Sequence, residues 1–315
     1  MSKGRILVTG ASGQIGTELV HALAAQYGPE RVIASDIKEQ KFDNAIFVML
    51  DILNVQRIRE IIEDYHVTQI YHLAAILSAS GEWNPRKTWN VNLSALLEIL
   101  QLSVELGLER MFFPSSIAIY GGPTPKKLTP QHSPTIPSTV YGISKLTGEL
   151  WCSYYYYRYG LDVRSIRYPG IISHGHMPGG GTTDYAVEIF YAALKEKHYT
   201  CFLRADTRLP MIYMEDAIRA TLELMEAPAD KLSVRTSYNL SGMDFTPAEL
   251  SAEIKRHIPD FAIEYRPDQR QAIADSWTES IDDSAARNDW HWLPRFDLSL
   301  MVEDMIAALK AKGLG

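Results

Sequence analysis

Short apolar, β-branched runs alternate along the first half of the chain with longer segments whose apolar residues recur every three or four positions. The runs at 5–9, 31–35, 46–50, 69–73, 110–114 and 163–168 have strand length, and the spacing between them predicts helices near 13–27, 55–65, 88–106 and 141–159. Strands that alternate with helices pack helices on both faces of one sheet. The expectation is therefore an α/β fold with a doubly wound parallel sheet of six or seven strands.

After Tyr168 the pattern loosens into PGIISHGHMPGGG, followed by a helical pattern near 184–197 and short strands. A boundary is expected there, with 1–168 as the main domain and 169–210 plus 237–315 as a smaller, discontinuous C-terminal substrate domain. The segment 211–236 contains an amphipathic pattern at 214–227 and is expected to pack back on the main domain. Thr246–Pro–Ala–Glu249 predicts a helix start, with an N-cap threonine, a proline at the first position and a capping-box glutamate.

Of the 315 residues, 46% are hydrophobic and 22% charged, which excludes a disordered chain. The net charge of −7 argues against nucleic acid as a partner. No apolar run approaches the ~18 residues of a membrane span, and because the first strand pattern starts at Arg5, no apolar leader segment is expected. Two cysteines, Cys152 and Cys201, form no CxxC pair, so a reducing, cytoplasmic setting is expected and no cysteine metal site is indicated.

Candidate chemistry begins directly after the first strand, where GASGQIG places Gly10, Gly13 and Gly16 at a turn into a helix. Such a turn needs unusual backbone angles and close backbone approach to a pyrophosphate resting on the helix N-terminus. Asp36 follows Gly16 by 20 residues at the end of the second strand, where a carboxylate accepts hydrogen bonds from ribose hydroxyls and repels a 2′-phosphate. Together these describe a Rossmann nucleotide site selective for NAD. Further on, Tyr141 and Lys145 stand one helical turn apart in YGISK. A phenol of pKa about 10 needs a neighbouring cation to serve as a base near neutrality, and Lys145 is the candidate. Ser116 ends the strand 110–114 at the ligand-binding edge of the sheet, where a hydroxyl can hold a substrate oxygen, although serines there also serve as turn or cap residues.

These residues, with Asp51–Ile52, His72–Leu–Ala–Ala75, Asn92 and Pro–Ser–Ser116, resemble the extended short-chain dehydrogenase/reductases over essentially the whole chain. The resemblance implies Ser116, Tyr141 and Lys145 as the catalytic set. It also implies an NAD site of Gly10, Ser12, Gly13, Gln14, Ile15, Gly16, Asp36, Asp51, Ile52, Leu73, Ala74, Ala75, Asn92, Tyr141, Lys145 and Tyr168. The runs RYPGIIS, PGGGTTDYAVEIFYAAL, LPMIYMEDAIRATLELMEAP and SWTESIDDSAARNDW are similar to the threonine-oxidising, L-threonine 3-dehydrogenase branch. That likeness implies oxidation of the β-hydroxyl of L-threonine to L-2-amino-3-oxobutanoate, with Ser78, Ser116, Tyr141, Gly180, Thr182, Asp184 and Trp277 around the substrate.

Other readings stay open at this level. A glycine run also makes ordinary turns, Asp184 also suits a helix N-cap, and Trp277 also suits a core. A nucleotide-sugar epimerase or dehydratase shares the N-terminal half, but Arg167 is followed by Tyr168–Pro169–Gly170 rather than by an Arg-Pro-x-Asn-like motif. A regulatory NAD sensor on the same fold has no need of all three reactive side chains. His174 and His176 lack a third ligand in any recognisable pattern, so no metal is expected. The tyrosines at 154–157 suit a core or a subunit interface, and the resemblance implies a homodimer.

Overall fold

The computed structural model describes residues 4–314 except 176, 178 and 180. The first half comprises β1 (Arg5–Thr9), α1 (Gln14–Tyr27), β2 (Val32–Asp36), β3 (Ile46–Met49), α2 (Val55–Asp64) and β4 (Val67–His72). It continues through α3 (Ser78–Gly81), α4 (Pro85–Trp89), a π turn at Asn90–Ser94, α5 (Ala95–Glu105), β5 (Arg110–Ser116), α6 (Val140–Tyr159) and β6 (Asp162–Tyr168). The second half holds β7 (Gly170–Ile172), α7 (Tyr185–Lys195), β8 (His198–Cys201), β9 (Leu209–Tyr213), α8 (Met214–Glu226) and β10 (Tyr238–Asn239). Then follow β11 (Met243–Phe245), α9 (Pro247–His257), β12 (Ala262–Tyr265), α10 (Arg270–Ser276), α11 (Ser284–Trp290) and α12 (Leu298–Ala311).

Seven parallel strands form the central sheet in the order β10-β6-β5-β4-β1-β2-β3. This is the doubly wound α/β sheet expected from the apolar runs. Its two faces are read off β1, whose successive side chains point opposite ways. Ile6 and Val8 pack with Leu19, Val20 and Leu23 of α1 and Ala217 and Leu224 of α8, whereas Leu7 packs with Ile58 and Ile61 of α2 and Leu96 and Ile99 of α5. A separate apolar cluster joins α7, α9 and α12 through Phe190, Ile254 and Met305, and it includes Trp277. β11-β9-β7 and β12-β8 are small sheets beside it.

Strand order reverses at β1, which has β2 on one side and β4 on the other. The crevice at the carboxyl ends of these strands is where open α/β sheets bind ligands. Two features depart from the periodic pattern. The seventh strand, β10, is only two residues long, and the helix expected over 88–106 is interrupted by the π turn. That turn sets Asn92 to accept from the Ile76 N–H at 2.8 Å and to donate to the Ile76 carbonyl at 2.9 Å and to Ser144 Oγ at 3.3 Å. Among the described residues, no helix is long and apolar enough to cross a membrane.

Candidate active site

The turn between β1 and α1 is built for close approach. Gly10 sits at φ +71°, and a Cβ there would lie 2.6 Å from the Ala74 backbone nitrogen; a Cβ on Gly16 would lie 2.2 Å from the Gly10 carbonyl oxygen. Side chains at either position would push apart β1, α1 and the end of β4. α1 begins after Gly13 with no side-chain cap, so its first N–H groups remain available to an anion. Gln14 adds a buried Nε2 with no hydrogen-bond partner among the described residues. Uncapped amides, an unpartnered amide donor and a turn that excludes Cβ atoms fit a dinucleotide phosphate.

Across the crevice, Asp36 accepts from the Ser12 N–H at 3.0 Å and the Lys38 N–H at 3.1 Å, which aims its carboxylate at the mouth of the turn. A cleft of about 380 Å³ runs from here past Gly10, Gly13, Gln14, Ile15, Gly16, Asp51, Ile52, Leu73, Ala74 and Ala75 to Pro114. Ser12 and Asn92 stand behind its wall, the one fixing Asp36 and the other fixing Ile76. Beneath it, His72 is buried against Thr9 Oγ1 at 2.9 Å, and burial, helped by Lys145, holds its pKa down to about 3, so the ring is neutral.

At the Pro114 end the cleft opens into a second cavity of about 180 Å³. Its lining brings together Ser78, Ser116, Tyr141, Lys145, Tyr168, Thr182, Asp184 and Trp277, residues from widely separated parts of the sequence. α6 delivers two of them. Thr139 caps the helix by accepting from the Gly142 N–H at 3.0 Å, and Glu82 accepts from the Val140 N–H at 2.7 Å, so the helix start carrying Tyr141 is fixed from both sides. Burial pushes the Tyr141 phenol up to about 12, opposed by a hydrogen bond with Ser116, whose Oγ also accepts from the Ala118 N–H at 3.2 Å.

Lys145 differs from the sequence expectation in one respect. Its ammonium donates to the Pro114 carbonyl at 2.7 Å and lies over the Phe113 ring, 5.6 Å from the centre of the Tyr141 ring, and burial pushes its pKa down to about 8. The expected lysine-for-tyrosine charge compensation is thus not what sets the phenol in the chain alone; desolvation dominates both groups.

The loop side of the cavity combines structural and chemical roles. Thr182 is 1% exposed and its Oγ1 has no hydrogen-bond partner among the described residues, an orphaned polar atom that a ligand would satisfy. Asp184 stands at the N-cap position of α7, but its carboxylate accepts from the Gly181 N–H rather than capping the helix. Trp277 belongs to the apolar cluster and also walls the cavity. Tyr168 is buried with its hydroxyl bonded to Thr221. Gly180 lies outside the described residues.

Thr183, beside Thr182 in the loop that the sequence offers to the substrate carboxylate, also lines the smaller cavity, whereas sequence reasoning missed Ile37, Lys87 and Val91 in the larger cleft and Pro169 and Ile171 in the smaller one. Their residue types announce no chemistry; each reaches the site only through the fold. His174 comes together with Glu215 and Asp304, a grouping invisible in sequence, and His176 lies outside the described residues. Lys312 Nζ already sits 3.2 Å from His174 Nδ1 and donates to the His174 carbonyl, so a side-chain cation occupies this corner.

Residues 6–241 match the family described as NAD dependent epimerase/dehydratase. The chain is 48% identical over 306 residues to the mitochondrial L-threonine 3-dehydrogenase of Bos taurus, covering 96% of this chain and 82% of that one. Among solved structures it is similar to a GalE-like L-threonine dehydrogenase from Cupriavidus necator in its holo form, at 54% identity and a TM-score of 0.96, over 97% of this chain and 99% of that one. A monomeric L-threonine 3-dehydrogenase from a metagenome, in its apo form, is 50% identical with a TM-score of 0.94, over 98% and 99% of the two chains.

Proposed function

This chain belongs to the NAD dependent epimerase/dehydratase family, and from that premise we propose that it is an NAD-dependent L-threonine 3-dehydrogenase that oxidises the β-hydroxyl of L-threonine to L-2-amino-3-oxobutanoate, a step of threonine catabolism. Support comes from the relatives' shared activity and above all from the small cavity. At about 180 Å³, below the usual 300–1,000 Å³ of sites for drug-sized ligands, it suits a ligand the size of an amino acid beside the dinucleotide cleft.

NAD is the cofactor, held by the Gly10–Gly16 turn, Asp36 and the walls of the larger cleft; when bound it supplies the hydride acceptor and a positive charge. The rest of the reaction falls to this chain's side chains. Ser116 Oγ holds the substrate hydroxyl oxygen, and Tyr141, bonded to Ser116, takes the hydroxyl proton as the β-carbon loses hydride. Lys145 contributes positive potential beside the phenol, which favours its ionised form. Thr182 Oγ1 and neighbouring backbone amides serve the substrate carboxylate, Asp184 serves the ammonium, and Ser78 and Trp277 close the cavity.

The exposed face of α6 supports a second copy of this chain as partner. Ile143, Leu150, Trp151 and Tyr154 fall on one stripe of the helix and all stand exposed. Two buried free cysteines suit a cytoplasmic setting.

The deciding assay follows NADH while purified protein is incubated with NAD and L-threonine, L-threonine amide, 2-butanol or UDP-glucose. L-Threonine is expected to outpace the amide and 2-butanol by well over tenfold, because each missing charged contact removes roughly 1.5–3 kcal/mol of positioning energy. Equal rates with L-threonine and 2-butanol, or interconversion of the UDP-sugar, would sink the assignment.

A further inference from the structure

We infer that the buried Glu149–Arg167 ion pair is a positioning device for the reaction, setting the register between the catalytic helix, the Ser116 strand end and the Trp277 wall of the substrate cavity. The proposal rests on Ser116, Tyr141 and Lys145 being the reacting set. Glu149 follows Lys145 by one helical turn and Tyr141 by two, on the inner face of α6, and it is 1% exposed. Its Oε1 accepts from Ser115 Oγ at 2.5 Å and from Arg167 Nε at 3.0 Å, and its Oε2 accepts from Arg167 Nη2 at 2.8 Å. Ser115 is the residue immediately before Ser116. One carboxylate thus ties the helix that bears Tyr141 and Lys145 to the strand end that bears Ser116.

The other side of the guanidinium reaches toward the substrate wall. Arg167 Nη1 donates to the Gln131 carbonyl at 2.9 Å, Asn239 Oδ1 at 3.0 Å and the Tyr120 hydroxyl at 3.2 Å. Asn239 Nδ2 donates in turn to the carbonyls of Thr129 at 3.0 Å and Asp282 at 3.2 Å. Thr129 is hydrogen-bonded to the hydroxyl of Thr278, the residue after Trp277, and its N–H donates to the Ser280 carbonyl at 2.9 Å. A continuous buried network therefore runs from Ser115, in the cavity's wall beside Ser116, to beside Trp277. A buried ion pair is not in general the more stable filling for such a position, because well-packed apolar residues are often as stable or more so. What they cannot supply is a bidentate fork of fixed geometry.

The test compares the full-length wild type with Ser115→Ala, Ser115→Thr and the double variant Glu149→Leu/Arg167→Met, measuring kcat and KM for L-threonine, NAD affinity and melting temperature. In the double variant, kcat is expected to fall about 10²-fold, the scale for a reacting group misplaced by an ångström, while KM and NAD affinity stay near wild type and the melting temperature falls, because the Ser115 hydroxyl and the Gln131 carbonyl lose their partners. Ser115→Ala leaves the ion pair whole and cuts only the link to the Ser116 strand end; kcat is expected to fall and Ser115→Thr, which keeps the hydroxyl, to restore it. This pair carries the test if the double variant does not fold. Unchanged kcat in Ser115→Ala, or a loss of NAD affinity alongside kcat in the folded double variant, overturns the positioning role. An inactive wild type defeats the threonine assignment instead, so the two failures are distinct.

Discussion

Tyr141 and Lys145 are poised against their own environment. Both are desolvated, so the neutral phenol and the neutral amine are each favoured, and the phenol sits near 12 while the amine sits near 8. The consequence for stability has a definite sign. Lys145 carries a proton in the unfolded chain up to about 10.5 and in the folded chain only up to about 8, so below 8 the fold holds a charge it disfavours by an amount on the order of 3 kcal/mol. As pH rises from about 8 to 10.5 the folded protein sheds that proton first and the penalty disappears. Lys145→Met is therefore expected to unfold at higher denaturant than wild type at pH 7 in the absence of NAD, with the advantage shrinking above pH 8, while turnover is lost. Tyr141→Phe is expected to lower turnover by about 10²-fold or more with little change in stability. A Met variant less stable than wild type at pH 7, or a Phe variant of normal turnover, would contradict these roles. At this scale the sequence was informative where chemistry forces a spacing, as in YGISK, and uninformative about what surrounds it. The Pro114 carbonyl and Phe113 ring that hold Lys145 come from a strand more than 30 positions away, and nothing in their residue types announces the contact.

At the level of elements, the choice of cofactor is proposed to lie with β2. It ends with Asp36 held by the Ser12 and Lys38 N–H groups, so the carboxylate is a latch across the glycine turn, and in the proposed site it would also accept from the ribose hydroxyls. Asp36→Ser is expected to narrow the NAD over NADP preference by removing the repulsion of a 2′-phosphate, and also to weaken NAD itself because the latch is lost. Steady-state kinetics with both cofactors check this; an unmodified protein that uses NADP as well as NAD would show that the carboxylate sets no preference. The strands of the central sheet were legible because burial on both faces leaves near-continuous apolar runs, and the capping box at Thr246 and Glu249 was legible because its two hydrogen bonds need those side chains at that interval. β10 was not. Two residues cannot show a period, and what places Tyr238 and Asn239 beside β6 is the hydrogen bonding of Asn239 with Gln131, Thr129 and Arg167. The π turn was hidden for the same reason, since a helical pattern of apolar positions continues across it while the tertiary demand on Asn92 changes the hydrogen-bond step.

Across the whole molecule the two faces of α6 serve different ends. Lys145 and Glu149 point inward to the reacting site and its tether, and Ile143, Leu150, Trp151 and Tyr154 point outward as an apolar stripe. Their spacing of seven, eight and eleven from Ile143 keeps them on one side of the helix. Polar side chains of the adjoining α5, namely Glu98, Gln101 and Glu105, are exposed and border this surface. An apolar centre with a polar rim is the arrangement expected where a second copy packs the same helix by a twofold axis. A solved relative described as monomeric makes the outcome informative rather than assured by kinship. The wild type is expected to run in light scattering at twice the 35.5 kDa chain mass, and Trp151→Glu at the single-chain mass, because a charge at the centre of a self-complementary patch is met by the same charge from its twin. As Trp151 faces away from the cavity, NAD affinity of the variant is expected to stay near wild type, which separates lost association from a damaged fold. A wild type at single-chain mass under micromolar concentration would remove the dimer from the proposal, and a Trp151→Glu variant that stays at double mass would move the interface to another face.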